Sequence, residues 1–206
     1  MRPFVTVNCA MSADGKIAGR RRRQVTISSG EDKDRVKELR AENDAILVGI
    51  GTVLSDDPHL TLKGGKNPVR VVLDSRGRTP DEAGVLDGRA RTIIVTSEEC
   101  DRRWEGAEVI RVGKERVDLS LLLEELAARG VRTLLVEGGG EVLWSFFKQG
   151  LVDRYSVFVG PLVLGGRTSP TPVDGEGFDD REAVSLRFLE CRRLGEGVLL
   201  VYEVFE

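Results

Sequence analysis

Histidine is almost missing from this chain and cysteine is scarce: His59, Cys9, Cys100 and Cys191 are all there is in 206 residues. A single histidine excludes any mechanism that needs two. The cysteines are odd in number, widely spaced and form no C-x-x-C pair, so neither a zinc site nor a redox dithiol is expected. Three unpaired thiols suit a reducing, cytoplasmic setting. No apolar run approaches the roughly 20 residues that cross a bilayer. The opening Met1-Arg2-Pro3-Phe4-Val5 enters a strand-like pattern at once, so no signal peptide is expected. A large excess of one charge is missing too. The net charge of −3 gives no reason to expect a nucleic-acid or membrane partner. No internal repeat, linker or low-complexity segment is visible. At 40% hydrophobic residues the chain can build a real core, and one domain over 1–206 is expected.

What the chain does have is glycine at the ends of apolar runs. Ala45 to Val48 runs into Gly49-Ile50-Gly51-Thr52, followed by Asp56-Asp57-Pro58. Thr133 to Val136 runs into Glu137-Gly138-Gly139-Gly140-Glu141. A buried strand that ends in small residues beside polar ones can present backbone N–H groups to a phosphate-bearing ligand. Two such ends suggest a dinucleotide held from two sides.

Further strands are expected over 4–9, 69–74, 92–96, 108–112 and 155–159, and a hairpin over 185–192 and 198–205 turning at Leu194-Gly195-Glu196-Gly197. Helices are expected over Glu31–Ala41, capped by Ser28 or Ser29, over 118–129, capped by Asp118 and stopped by Gly130, and over Glu141–Gln149. The last should turn Leu143, Phe146 and Phe147 inward. Arg20 to Arg23 reads as a solvated basic turn. The Gly/Pro-rich stretch 162–184 is a loop of functional length. The alternation of strands and helices predicts an α/β fold with a mixed, mostly parallel sheet and a C-terminal antiparallel hairpin.

A Rossmann fingerprint does not fit. Gly49-Ile50-Gly51 follows a strand and Asp74 lies at a ribose-binding distance, but Leu54 stands at the third glycine position. The prolines and glycines after Asp56 also forbid the long crossover helix. Ser75-Arg76-Gly77-Arg78 supplies a hydroxyl and guanidinium groups, as a terminal phosphate requires, and equally suits a solvated turn. Three glycines before a helix suit a pyrophosphate at its N-terminus. Arg40 and Lys63 could anchor a phosphate or be plain surface residues. His59 is assigned no role.

Met11-Ser12-x-Asp14-Gly15-Lys16-Ile17-Ala18, Leu39-Arg40-Ala41, the Asp44-to-Thr61 segment with its Gly49-x-Gly51-Thr52 and Asp56-Asp57-Pro58, and Arg70-Val71-Val72-Leu73-Asp74 together resemble the riboflavin-biosynthesis reductase family. Val136-Glu137-Gly138-Gly139, Gly150-Leu151-Val152-Asp153 and Pro161-x-x-x-Gly165-Gly166 extend the resemblance over nearly the whole chain. It implies a dihydrofolate-reductase-like fold, a homodimer and an NADPH-dependent oxidoreductase, with NADH as the alternative cofactor. The H-x-E and P-C-x-x-C elements of a fused zinc deaminase are lacking. The chain is therefore similar to the stand-alone archaeal and fungal type, which reduces 2,5-diamino-6-(ribosylamino)-4(3H)-pyrimidinone 5′-phosphate to the ribitylamino form. The resemblance places Met11, Thr52, Asp56, Ser75, Arg76, Arg78, Gly138, Gly139, Gly140 and Glu141 at the cofactor. It places Gln24, Arg40, Leu60, Lys63 and Glu137 at the substrate. Asp56 and Glu137 are the expected catalytic carboxylates. The alternatives are a reductase of the deaminated uracil compound, a pterin reductase of the dihydrofolate type, and a nucleotide-binding module without catalysis.

Overall fold

The computed structural model describes residues 1–205, and of Arg22 only the backbone, so that side chain of the basic run lies outside the described residues. The elements run β1 (Phe4–Ser12), α1 (Gly30–Glu42), β2 (Ala45–Gly49), α2 (Ile50–Asp56), β3 (Val69–Leu73), β4 (Thr92–Thr96) and β5 (Glu108–Arg111). They continue with α3 (Leu119–Ala128), β6 (Thr133–Gly138), α4 (Gly140–Lys148), β7 (Arg154–Gly160), β8 (Leu186–Leu194) and β9 (Gly197–Val204). The residues group into two compact units. One holds Met1–Phe4 and Leu39–Val136; the other holds Val5–Glu38 and the chain from Glu137 onward. Neither unit is a single continuous stretch of chain.

In the first unit the strand order is β5-β4-β3-β2-β6. β2/β3, β3/β4 and β4/β5 pair in parallel, with Leu47 opposite Val71 and Val71 opposite Ile93. All five residues of β2 and all five of β4 are buried. This is why they read as unbroken apolar runs and not as alternating ones. One side of the sheet packs Ile46, Val48, Val72, Ile94 and Leu135 with Val53, Leu60, Val85 and Trp104. In α3, Leu119, Leu122, Leu123 and Leu126 recur at helical spacing and are buried. Asp118 caps this helix by accepting from the Leu121 N–H at 3.0 Å. Removing Leu122 to Ala would cost about 2–5 kcal/mol for the lost burial and the cavity.

Helix α2 was not expected. Gly49 serves as its N-cap, and Asp57 ends it in the left-handed region at φ 40°, with its N–H bonded to the Val53 carbonyl. Two glycines in three residues mask a helix in the sequence, because their intrinsic helical preference is poor.

In the second unit β1 pairs in parallel with β7, β7 antiparallel with β9, and β9 antiparallel with β8. The expected C-terminal hairpin is present, turning at Gly195 with φ 59°. β1 runs three residues beyond its expected end, because Ala10, Met11 and Ser12 keep pairing with Phe158, Val159 and Gly160. Helix α4 buries Leu143, Trp144, Phe146 and Phe147. Helix α1 begins where Ser29 Oγ accepts from the Asp32 N–H at 3.1 Å. Its buried residues are Asp32 and Arg35, not apolar ones. β8 is exposed along almost its whole length, with Phe188 at 57% and Leu189 at 45%.

The mixed, mostly parallel α/β architecture is thus the one expected. Among the described residues no helix is long and apolar enough to cross a membrane.

Candidate functional site

The strand end at Gly49 leads straight into α2. Thr52 and Asp56 lie one turn apart on this helix and so share a face. Thr52 is half-buried and Asp56 exposed. Gly51 is exposed, has no positive φ, and a Cβ built there would meet nothing within 4 Å. Neither packing nor backbone geometry demands glycine at 51, so open space beside the helix is what it provides. Beyond Asp56, Leu60 adopts φ 51° and is only 4% exposed, packed into the core of its unit. A substrate contact at Leu60 therefore has the backbone to work with, not the side chain. Lys63 is exposed and Arg40 half-buried.

The Asp74–Gly77 segment closes as a turn, Gly77 N–H to Asp74 carbonyl at 3.0 Å. Asp74 itself is completely buried, and its Oδ2 accepts from the Thr79 N–H at 2.7 Å and hydroxyl at 2.8 Å. It holds a turn and is closed to a ribose, which removes the last support for a Rossmann site. Ser75 and Arg76 line a cavity of about 360 Å³ with Ser97, Glu99, Cys100 and Glu115. The Ser75 hydroxyl accepts from the Val117 N–H at 3.2 Å, while the Ser75 carbonyl accepts from the Ser97 hydroxyl at 2.9 Å. Arg78 is exposed and is not among these lining residues. A terminal phosphate would find one guanidinium here, with two carboxylates beside it. Asp74 Oδ1 and Thr96 Oγ1 are buried without a partner among the described residues. They directly precede Ser75 and Ser97 at the ends of β3 and β4.

In the second unit, Met11 is half-buried near the end of β1, and Gln24 is exposed. Asp14 fastens the long loop. Its carboxylate accepts from the Ser12 hydroxyl at 2.6 Å and from the Leu164 and Gly165 N–H groups at 3.0 and 2.7 Å. The Ser12 hydrogen bond, followed by the loop amides, lowers the Asp14 pKa to about 2. Glu137 is half-buried and Gly138 buried where β6 ends.

Gly139 and Gly140 have structural reasons of their own. Gly139 adopts φ 70°, and a Cβ at Gly140 would lie 2.6 Å from the Thr171 carbonyl and 2.9 Å from the Asp174 carboxylate. Asp174 Oδ1 accepts from both the Thr171 N–H and hydroxyl at 2.8 Å, and the Asp174 N–H donates to the Gly140 carbonyl at 3.2 Å. The glycines at the head of α4 thus admit the loop, so they are not by themselves evidence of a phosphate. Glu141, exposed in the first turn, adds negative charge there, which suits the helix dipole. Asp174 was invisible to sequence reasoning, lying in a glycine-rich stretch without periodicity. No group of three or more His, Cys, Asp or Glu residues suited to a metal ion occurs among the described residues.

The open space beside α2 and the polar lining of the Ser75 cavity fit a nucleotide cofactor. Known proteins narrow this. A protein from Archaeoglobus fulgidus, 2,5-diamino-6-ribosylamino-4(3H)-pyrimidinone 5′-phosphate reductase, is 47% identical over 214 residues, covering 96% of each chain. A protein of the same name from Methanothermobacter thermautotrophicus is 46% identical over 99% of each. The crystal structure of a diaminohydroxyphosphoribosylaminopyrimidine deaminase/5-amino-6-(5-phosphoribosylamino)uracil reductase from Thermotoga maritima superposes with a TM-score of 0.87 at 30% identity. That match covers 99% of this chain and 57% of the other. The Saccharomyces cerevisiae riboflavin biosynthesis reductase Rib7, at 24% identity and a TM-score of 0.82 over 99% of this chain and 90% of its own, shares the fold. The fold is the dihydrofolate-reductase-like one of these reductases. The RibD C-terminal domain model matches residues 3–200, and the chain belongs to that family of reductases.

Proposed function

We propose that this chain is a single-domain, NADPH-dependent reductase of riboflavin biosynthesis. It converts the ribosylamino side chain of 2,5-diamino-6-(ribosylamino)-4(3H)-pyrimidinone 5′-phosphate to the ribitylamino form. The observation that carries this reading is the 47% identity to a reductase named for that substrate, over 96% of both chains. The Thermotoga maritima deaminase/5-amino-6-(5-phosphoribosylamino)uracil reductase matches at 30%, well below the reductase named for the diamino compound, so the diamino compound is favoured over its deaminated counterpart. NADH is the alternative cofactor.

Thr52 and Asp56 line the reacting end of the cofactor and Ser75 and Arg76 its far end. Met11 and the Gly138–Glu141 segment complete the contacts, the latter through backbone N–H groups. When bound, the cofactor supplies the hydride that the reduction consumes. The chain's own residues do the rest. Arg40 and Lys63 hold the substrate phosphate by charge-assisted hydrogen bonds. The Glu137 carboxylate accepts from the pyrimidine or a sugar hydroxyl. Asp56 places negative charge where the ring-opened sugar imine becomes positive, a preorganised electrostatic contribution. Gln24 and the Leu60 backbone border the substrate. The exposed apolar residues of β8 suit a homodimer, and the setting is cytoplasmic.

The test is NADPH oxidation with the diamino compound and with the deaminated uracil analogue in parallel. A higher kcat/KM is expected with the diamino compound. Preference for the analogue would move the enzyme to the other side of the deamination step. Turnover of neither would overturn the reading.

A further inference from the structure

Arg70 is 0% exposed, the largest of the side chains with almost no exposure, yet it carries a permanent charge. Its guanidinium is nearly saturated. Nε donates to Thr92 Oγ1 at 2.9 Å and Nη2 to the Ala90 carbonyl at 2.7 Å. Nη1 donates both to Asp87 Oδ1 at 2.8 Å and to the His59 carbonyl at 3.0 Å. Asp87 in turn receives His59 Nδ1 at 2.9 Å and the Arg89 Nε and N–H at 2.6 and 3.0 Å. Burial alone would raise the Asp87 pKa, but the hydrogen bonds from Arg70 and Arg89 outweigh it and hold the carboxyl well below its ordinary value.

The short segment that this cluster grips is unusual. Asp57 and Leu60 are both non-glycine residues in the left-handed region, at φ 40° and 51°. Each such residue costs on the order of 1–3 kcal/mol and persists only where its surroundings over-determine it. Here the segment is tied at three places. The Asp57 carboxylate accepts from the Gly84 N–H at 2.6 Å, the His59 ring meets Asp87 and the Gly84 carbonyl, and the His59 carbonyl accepts from Arg70. Asp56 directly precedes the segment and Lys63 follows three residues after it.

We propose that Arg70 and Asp87 are positioning residues. They fix the left-handed backbone of 57–60, and through it the places of the Asp56 carboxylate and the Lys63 ammonium at the substrate. The inference rests on the reductase reading, because it needs Asp56 and Lys63 to act there. It explains why an arginine is fully buried at this position, where a hydrophobic side chain would cost less to desolvate. It also gives the chain's one histidine a task, as the exposed outer tie of the clamp.

The test compares wild type with Asp87→Asn and His59→Ala, and with Arg91→Gln as a control. Arg91 pairs with Glu108 at the surface of the same unit. For each protein, kcat/KM for the diamino substrate, NADPH affinity, the urea midpoint and hydrogen exchange at the Gly84 amide, which donates to the Asp57 carboxylate, are measured. Asp87→Asn is expected to lower kcat/KM roughly tenfold or more, since displacements of about 1 Å have such effects. NADPH affinity should fall less than kcat/KM does, and the Gly84 amide should exchange faster. His59→Ala, which loses only an exposed tie, should show a smaller loss in the same direction, and it keeps the test open if Asp87→Asn fails to fold. Arg91→Gln should leave kcat/KM unchanged. Folded variants with wild-type kcat/KM and a lowered urea midpoint would overturn the proposal and leave the cluster a purely structural one. Wild-type protein that turns over neither pyrimidine would instead overturn the reductase reading, and the positioning role with it.

Discussion

Buried charge is the dominant feature at the scale of single residues. Asp32 and Arg35, 1% and 8% exposed, face each other from neighbouring turns of α1 at 2.7 Å. Arg35 also donates to Asn8 Oδ1 at 2.8 Å and Ser156 Oγ at 3.2 Å, while Asp32 Oδ2 has no partner among the described residues. Such a pair stabilises little in total, but breaking it leaves an uncompensated charge. Arg35→Met is expected to destabilise the protein by about 3–5 kcal/mol, read as a lowered urea midpoint. The double variant Asp32→Leu/Arg35→Met should recover much of that loss. A single variant as stable as wild type would contradict this account. Nearby Cys9 is half-buried against Tyr155, and desolvation pushes its thiol up to about 12, which keeps it protonated at neutral pH.

At the scale of elements, the Asp14 carboxylate fastens the loop after β7 to the end of β1, beside backbone bonds from the Ala13 N–H to the Leu162 carbonyl at 2.8 Å and from the Ile17 N–H to the Pro170 carbonyl at 3.0 Å. Asp14 ionises at about 2, below the ordinary value of 3.8. A carboxyl whose folded pKa is depressed contributes stability that is present above its unfolded pKa and is lost as pH falls through the folded one. The Leu164 and Gly165 amides should therefore stay protected from exchange above pH 4 or so and lose protection as pH falls towards about 2. Asp14→Ala should show the loss already at neutral pH. Unchanged protection in that variant would show that other contacts hold the loop. Most of the elements were legible because their signals are local. Asp118 ahead of a leucine-periodic run, the unbroken apolar runs of β2 and β4, and Gly195 at the hairpin all state their structure within a few residues. The misses have a common cause. Helix α2 hides behind two glycines, and the roles of Gly140, Asp174 and Arg70 depend on partners 17 to 34 residues away in sequence, as in Arg70 with Asp87 and Gly140 with Asp174. Periodicity cannot report such contacts. The Gly138–Gly140 run was readable as special, but a ligand and a packed loop leave the same mark on it.

For the whole molecule, the family match spans residues 3–200 and therefore both compact units. Neither unit is one continuous segment of chain. The central claim is that this chain reduces the sugar carbon of its substrate and leaves the pyrimidine ring alone. The most direct test uses NADPH carrying deuterium at the transferable C4 position, with the diamino ribosylamino substrate, and locates the label by mass spectrometry and NMR. The account predicts a ribitylamino product with deuterium at C1′. Deuterium in the pyrimidine ring, or NADPH bound without any transfer, would contradict it.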